Sequence, residues 1–338
     1  MGDVVFTLPA VNLLRQNFPH ARITYLTSVE NQVIVQAFSG VDEVLTIDRA
    51  LFKHPSGKTI TSTFALLKRL RQGKFSLVID LQYYAETALL TRWTGAPQRW
   101  TWTTVGNRFR RHAYTHLRPR QDQLHPVDIS IDLLRHCGLQ TAPIRNELLL
   151  PGRGQAEARQ FLVDHGLDPY RPVFIIQAFT SSQQKNWPLA NYLALAEHWK
   201  ARGVQIVFSG GTRDRDALDP AKAAGFVVCA GAPLSTMGWL LKQCSLVIGG
   251  DTGLLHFAVT LGTRVIMLMA DAGSRTPGPY LHLEWALRPS GDNVVANIGI
   301  ERVNEAVQKI FPEVGQTVNS NQLGSPLVAK FQDSCRSK

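Results

Sequence analysis

Short runs of β-branched and aliphatic residues alternate with amphipathic stretches along most of the chain. This alternation limits the fold more than any other feature. In the first half, residues 22–27, 43–47, 77–81 and 99–103 read as strands, and 9–17, 29–38, 61–71 and 85–93 as helices. The second half continues with strands at 173–177, 204–209, 226–228, 246–248 and 265–268 and helices at 156–165, 189–200, 213–223, 236–242 and 254–261. The crossovers are long enough to return to a parallel strand, so the sheets are parallel and covered by helices on both faces. A chain of 338 residues is comfortable for two domains of ordinary size. The Pro/Gly cluster Leu150-Pro151-Gly152-Arg153-Gly154 marks the boundary. The expected architecture is α/β, with two doubly wound, Rossmann-like halves, 1–150 and 151–311, facing a cleft. Ligands bind at the carboxyl ends of strands in such sheets. Residues 312–338 are polar and aperiodic and read as a loose tail.

The first half begins with a discrepancy. Gly2-Asp3-Val4-Val5 resembles the turn and helix that follow a first parallel strand, yet only Met1 precedes it. In a doubly wound sheet that strand lies in the middle, and without it two neighbours carry unmatched backbone groups. The expectation is a missing first strand: either the true start lies upstream, or this copy is degenerate.

Charge and composition exclude several classes. Formal net charge is +10, and the first 150 residues hold 18 basic against 11 acidic side chains, so anionic partners are expected. No helix-turn-helix, RNA-recognition or zinc-finger pattern supports nucleic acid. The four cysteines show no C-x-x-C spacing, which suits a reducing cytosol and argues against a structural metal or a disulfide framework. The amino terminus has no basic-then-apolar leader. The apolar stretch 246–270 is interrupted by Asp251, His256 and Arg264 and reads as a buried strand–helix–strand. No G-x-G-x-x-G, Walker A, G-x-S-x-G or H-E-x-x-H motif calls for a cofactor or a metal. Clustered carboxylate spacing for a hard cation is absent too.

Several constellations point to phosphate. Ile248-Gly249-Gly250-Asp251-Thr252-Gly253-Leu254-Leu255-His256 runs from an apolar strand through a turn into a helix. Amides exposed at a helix start form an anion cradle, Gly253 allows close backbone approach, and His256 can point at the same phosphates. The plainer alternative is that Asp251 or Thr252 only caps the helix and His256 is half-buried. Thr180, Ser181 and Lys185 lie in a hydroxyl-rich loop after another strand, a second phosphate loop or an ordinary exposed one. Asp214 follows Gly210-Gly211 and either accepts from a ribose or base or offsets a helix dipole. Asp3 is either a general base toward a hydroxyl or an N-cap. Between Glu86 and Asp122 there is no acidic residue, while arginines accumulate, among them Arg108, Arg110 and Arg111, interleaved with Trp93, Trp100, Trp102, Phe109 and Tyr114. That face suits an anionic acceptor or a membrane surface, or is simply solvated.

Taken together, Gly2-Asp3-Val4-Val5 with Leu8-Pro9-Ala10, Leu77-Val78-Ile79-Asp80-Leu81-Gln82, Thr94-Gly95-Ala96-Pro97, Lys185-Asn186-Trp187-Pro188, Gly210-Gly211 and Asp251-Thr252-Gly253-Leu254-Leu255-His256 stand in the order expected of one family. They resemble glycosyltransferase family 9, the lipopolysaccharide heptosyltransferases. The resemblance implies a GT-B fold and metal-independent, inverting transfer, typically of heptose from ADP-heptose to a lipid A–core oligosaccharide. It implies that Asp3 is the catalytic base. Thr180, Ser181 and Lys185 match the phosphate loop, and Asp251, Thr252, Gly253 and His256 match the nucleotide-sugar motif. Asp214 stands where the family usually has Glu. The family's first strand is missing, and Met269-Ala270-Asp271-Ala272-Gly273 replaces its Gly-Pro-Thr-Asp-Pro stretch. The expected place of action is the cytoplasm, touching the inner leaflet through the basic face. The alternatives are a nucleotide-sugar epimerase of similar fold, or a degenerate donor-binding protein without transfer.

Overall fold

A computed structural model of the chain describes residues 1–48, 57–103, 108–140, 143, 148–168, 170–270, 277–291 and 293–312. It divides into two compact units between Leu149 and Leu150. The first contains α1 (Gly2–Val5), α2 (Leu8–Asn17), β1 (Thr24–Ser28), α3 (Gln32–Gln36), β2 (Glu43–Ile47), α4 (Gly57–Gln72), β3 (Leu77–Asp80), α5 (Ala85–Thr94), β4 (Gln98–Thr103), α6 (Arg108–Arg111), β5 (His116–Pro119) and α7 (Pro126–His136). Local chemistry sets the helix ends. The Thr87 hydroxyl accepts from the Tyr84 amide at the start of α5 (2.9 Å), and Gly95 ends that helix at φ 71°, where a side chain would be strained. His125 Nδ1 accepts from the Val127 amide (3.2 Å) to cap α7, and Pro126 occupies the first turn, where no N–H is needed.

The strands of this unit form two separate parallel sheets, β1-β2 and β3-β4-β5. In the doubly wound order 3-2-1-4-5-6, these are places 3-2 and 4-5-6, and place 1 holds no strand among the described residues. α1 is the helix that would follow a strand in that place. β2 is half-buried along its whole length, and β1 and β3 bury one side chain each.

The second unit contains α8 (Gly152–Asp164), β6 (Val173–Gln177), α9 (Leu189–Lys200), β7 (Gln205–Gly210), α10 (Asp219–Ala223), β8 (Val227–Ala230), α11 (Leu234–Gln243), β9 (Leu246–Gly250), α12 (Gly253–Thr260), β10 (Val265–Leu268), β11 (Ala286–Leu287) and α13 (Ile300–Ile310). One parallel sheet, in the order β11-β10-β9-β6-β7-β8, fills every place of the doubly wound plan. Its central strands are apolar on both faces because helices cover both; β9 and β10 are buried throughout. Phe174, Trp187, Tyr192, Trp199 and Phe208 are fully buried in its core.

Several expectations need correction. The helix read at 213–223 is broken into 3-10 turns at Thr212–Asp214 and Asp216–Leu218 before α10. The Asp214 carboxylate takes up the Gly211 amide (2.7 Å), and Pro220, lacking an N–H, fits only the first turn of a new helix. Leu148, just before the boundary, makes an isolated antiparallel bridge with Phe38. β5, α7, β11 and α13 were not read from the sequence. The tail beyond residue 312 and residues 271–276 lie outside the described residues.

Candidate functional site

The strand order of the second sheet reverses between β6 and β9, because β6 continues to β7 on one side while β9 pairs on the other. A crevice opens at the carboxyl ends of such a strand pair, and the loops leaving β6 and β9 lie there. The β6 loop is held by its own sequence. The Thr180 amide donates to Asn186 Oδ1 (2.8 Å), while its hydroxyl donates to the Ser182 carbonyl (2.7 Å) and accepts from the Ser182 amide (3.1 Å). Trp187, fully buried, donates from Nε1 to the Ile298 carbonyl (2.8 Å), and Pro188 precedes α9. Each residue of Lys185-Asn186-Trp187-Pro188 thus has a separate task, and only Lys185 is aimed at the neighbouring loop.

Lys185 Nζ donates to Asp251 Oδ2 at 2.7 Å, and His256 Nε2 lies 3.0 Å from Asp251 Oδ1. Burial alone would raise the Asp251 carboxyl, but the hydrogen bonds and charge from His256 and Lys185 outweigh it and hold the group below the usual aspartate range. Exposure sorts the three side chains: Lys185 is 44% exposed, Asp251 12% and His256 5%. Lys185 is therefore the one an incoming anion can reach. His256, buried inside the unit, is turned onto Asp251. Thr252 caps α12, its hydroxyl facing the Leu255 amide at 3.5 Å, and Gly253 opens the helix. The first-turn amides of this eight-residue helix, with Lys185 beside them, form a site that favours negative charge.

Sequence reasoning missed three contributors. Gly250 must lack a side chain: a Cβ there would stand 2.8 Å from the Lys185 carbonyl and 2.5 Å from the Thr180 methyl. Asn186 closes the β6 loop. Gln177, buried at the end of β6, accepts from the Ser209 hydroxyl (2.8 Å) and donates to the Phe179 carbonyl (2.9 Å), tying the loop to β7. A polar residue ending an otherwise apolar strand was the available signal. Ser181 is exposed on the loop, and Asp214 closes the turn after β7 through Gly211.

In the first unit, Asp3 sits exposed in the first turn of α1, and its carboxylate makes no hydrogen bond or ion pair among the described residues. The Tyr25 hydroxyl is pushed up to about 12 by burial and by the Asp3 charge, against a hydrogen bond with Thr7 (2.8 Å). The arginine-rich face separates into two groups. Arg99 donates to the Ala113 carbonyl (2.6 Å), Arg118 pairs with Asp132 (3.0 Å) and Arg120 with Asp122 (3.0 Å), so these three are engaged within the unit. Arg110 donates to the Tyr83 carbonyl (2.7 Å), and Arg111 is exposed at the end of α6. Arg108 belongs to α6, and its side chain lies outside the described residues.

The chain is 24% identical over 307 residues to lipopolysaccharide heptosyltransferase 3 of Escherichia coli, covering 87% of this chain and 85% of the relative. Its fold superposes on a glycosyl transferase family 9 structure from Veillonella parvula with a TM-score of 0.80 (22% identity, 93% and 95% coverage). It also superposes on the E. coli heptosyltransferase WaaC solved with ADP, at 0.75 (20% identity, 92% and 97% coverage). These neighbours establish the two-domain GT-B fold. The sequence model of glycosyltransferase family 9 (heptosyltransferase) matches residues 63–293, well over half of the chain. The chain belongs to glycosyltransferase family 9 and is a glycosyltransferase by descent.

Proposed function

We propose that this protein transfers heptose from ADP-heptose, with inversion and without a metal, to an anionic lipopolysaccharide core or related lipid-linked acceptor. The Lys185–Asp251–His256 arrangement at the start of α12 carries this reading. Its similarity to lipopolysaccharide heptosyltransferases, and to a fold neighbour solved with ADP, supports this choice of donor and acceptor class.

The second unit receives the donor. Its diphosphate lies against the α12 amides and Lys185, while Asp251, fixed by buried His256, keeps the ammonium in place. The Asp3 carboxylate takes the proton of the acceptor hydroxyl as its oxygen bonds to the anomeric carbon. The bond from that carbon to the diphosphate breaks on the opposite face, and the electron pair leaves with the nucleotide. Lys185 and the helix start neutralise that charge as it develops, which is where preorganised groups contribute most. Arg108, Arg110 and Arg111 hold the anionic acceptor.

We place the reaction on the cytoplasmic side, with peripheral membrane contact. Phe64, Leu89 and Trp93 are exposed on α4 and α5 beside exposed Lys68, Arg71 and Arg92, a pattern suited to an anionic lipid surface. Among the described residues no helix is long and apolar enough to cross a membrane.

The test is a donor panel (ADP-heptose and UDP-, GDP- and ADP-hexoses) offered with truncated core lipids. The expected result is consumption of ADP-heptose only when acceptor is present. Release of free or epimerised sugar without acceptor would instead support an epimerase. Asp3→Asn should lower kcat by about 10²–10⁴-fold and leave donor affinity intact. Unchanged turnover would remove Asp3 from catalysis.

A further inference from the structure

Asp80 ends β3 and is only 6% exposed, yet the transfer chemistry gives it no task. Its Oδ1 accepts from the Gln82 amide (2.8 Å) and the Tyr83 amide (3.0 Å), and its Oδ2 from the Tyr114 hydroxyl (2.5 Å). The Thr101 hydroxyl donates to its carbonyl from β4 (2.8 Å). A buried carboxylate is costly to keep unless every partner is in place. Here the partners bend the backbone so sharply that Tyr83 stands at φ 58°, a left-handed conformation normally left to glycine.

Strain of that kind persists only where the surroundings impose it, and it gathers at functional sites. Glycine at position 83 would relieve it but would remove what the ring supplies. The Tyr83 carbonyl accepts from Arg110 Nη1 (2.7 Å), the Arg110 guanidinium lies 5.6 Å from the ring centroid, and the Tyr83 hydroxyl meets Thr103 Oγ1 (3.2 Å). The turn therefore presents one arginine, at a fixed angle, at the carboxyl end of a parallel strand, where ligands bind in open α/β sheets. A guanidinium held this way is pre-shaped for the two-pronged recognition of a phosphate or carboxylate.

We infer that Asp80 is a positioning residue for acceptor recognition: through the Tyr83 turn it fixes Arg110 for an anionic group on the acceptor. The inference rests on the reading that the first unit takes such an acceptor. It goes further by naming the turn that sets the angle of recognition. Tyr114 is the second part of the device, because its hydroxyl secures the carboxylate oxygen that the turn does not use.

The experiment uses the full chain with Asp80→Asn, Tyr114→Phe, Arg110→Ala and the Asp80→Asn/Arg110→Ala double variant. Kinetics are read for donor and acceptor separately, and arginine labelling by phenylglyoxal is followed at Arg110 by peptide mass spectrometry. Asp80→Asn and Tyr114→Phe should each raise the acceptor KM by about tenfold, the effect of losing roughly one hydrogen bond, with donor KM and circular dichroism unchanged. The double variant should be no worse than Arg110→Ala alone, since both act through one guanidinium. Labelling at Arg110 should quicken in Asp80→Asn. An unmoved acceptor KM, multiplying effects in the double variant, or unchanged labelling would overturn the inference. Should Asp80→Asn not fold, Tyr114→Phe, which deletes a single hydroxyl, carries the test. If the wild-type protein transfers no sugar, the proposed function fails, and labelling alone decides whether Asp80 positions Arg110.

Discussion

In the second unit β6 lies between β7 and β9, and the strands beside it are buried along nearly their whole length. In the first unit, among the described residues, β1 and β3 belong to two separate sheets that no strand joins, and their side chains stay mostly half exposed. The two units follow one plan, so the contrast isolates what a central strand does. It pairs the backbone groups of both neighbours and lets helices close over apolar faces, each large side chain worth roughly 1.5–3 kcal/mol when fully covered. The proposed diphosphate site lies on the complete sheet, with Lys185 and Asp251 on loops from adjacent buried strands, which gives it a rigid frame.

The largest effects should fall on the buried sheet of the second unit, where a truncated side chain leaves a cavity that its packed neighbours do not fill.

Ile248, 1% exposed in β9, should cost about 2–5 kcal/mol when changed to Ala. Leu45, half-buried in β2, should cost about 1 kcal/mol. Equal losses would mean that the two sheets are equally well packed.

Much of the second unit was legible because its signals are strong and local. β6, β10 and α9 match the sequence reading residue for residue: the strands are short, almost wholly apolar runs, and α9 follows Trp187-Pro188. β5 escaped because His116, Arg118 and Pro119 give a half-exposed edge strand little apolar pattern. α7 carried a readable start in His125-Pro126 and Asp128 that was not used. At the candidate site, the loops after β6 and β9 were legible as motifs. The union of Lys185, Asp251 and His256 was not, because a 66-residue separation leaves no spacing to read. Likewise Arg99, Arg118 and Arg120 look the same in sequence as Arg110, and only their partners in space divide structural arginines from the rest.

A smaller effect follows from protonation. The Asp251 carboxyl is held below its ordinary value in the folded chain, so the stability it adds is complete above the ordinary aspartate value. That stability is lost as pH falls through the lower folded value. Unfolding followed between pH 5 and about 2 should show this loss in the second unit, and Asp251→Asn should flatten it. A profile that the substitution leaves unchanged would place the acid sensitivity elsewhere.

The central claim is that the start of α12 and Lys185 grip a diphosphate. The direct measurement is calorimetric titration of ADP into the full chain and into Lys185→Ala, paired with a crystal soaked in ADP. The account predicts that the phosphates lie at the Thr252–Gly253 amides within reach of Lys185 Nζ, and that the substitution weakens binding by about 10–100-fold. Phosphates bound elsewhere, or equal affinity for both proteins, would contradict it.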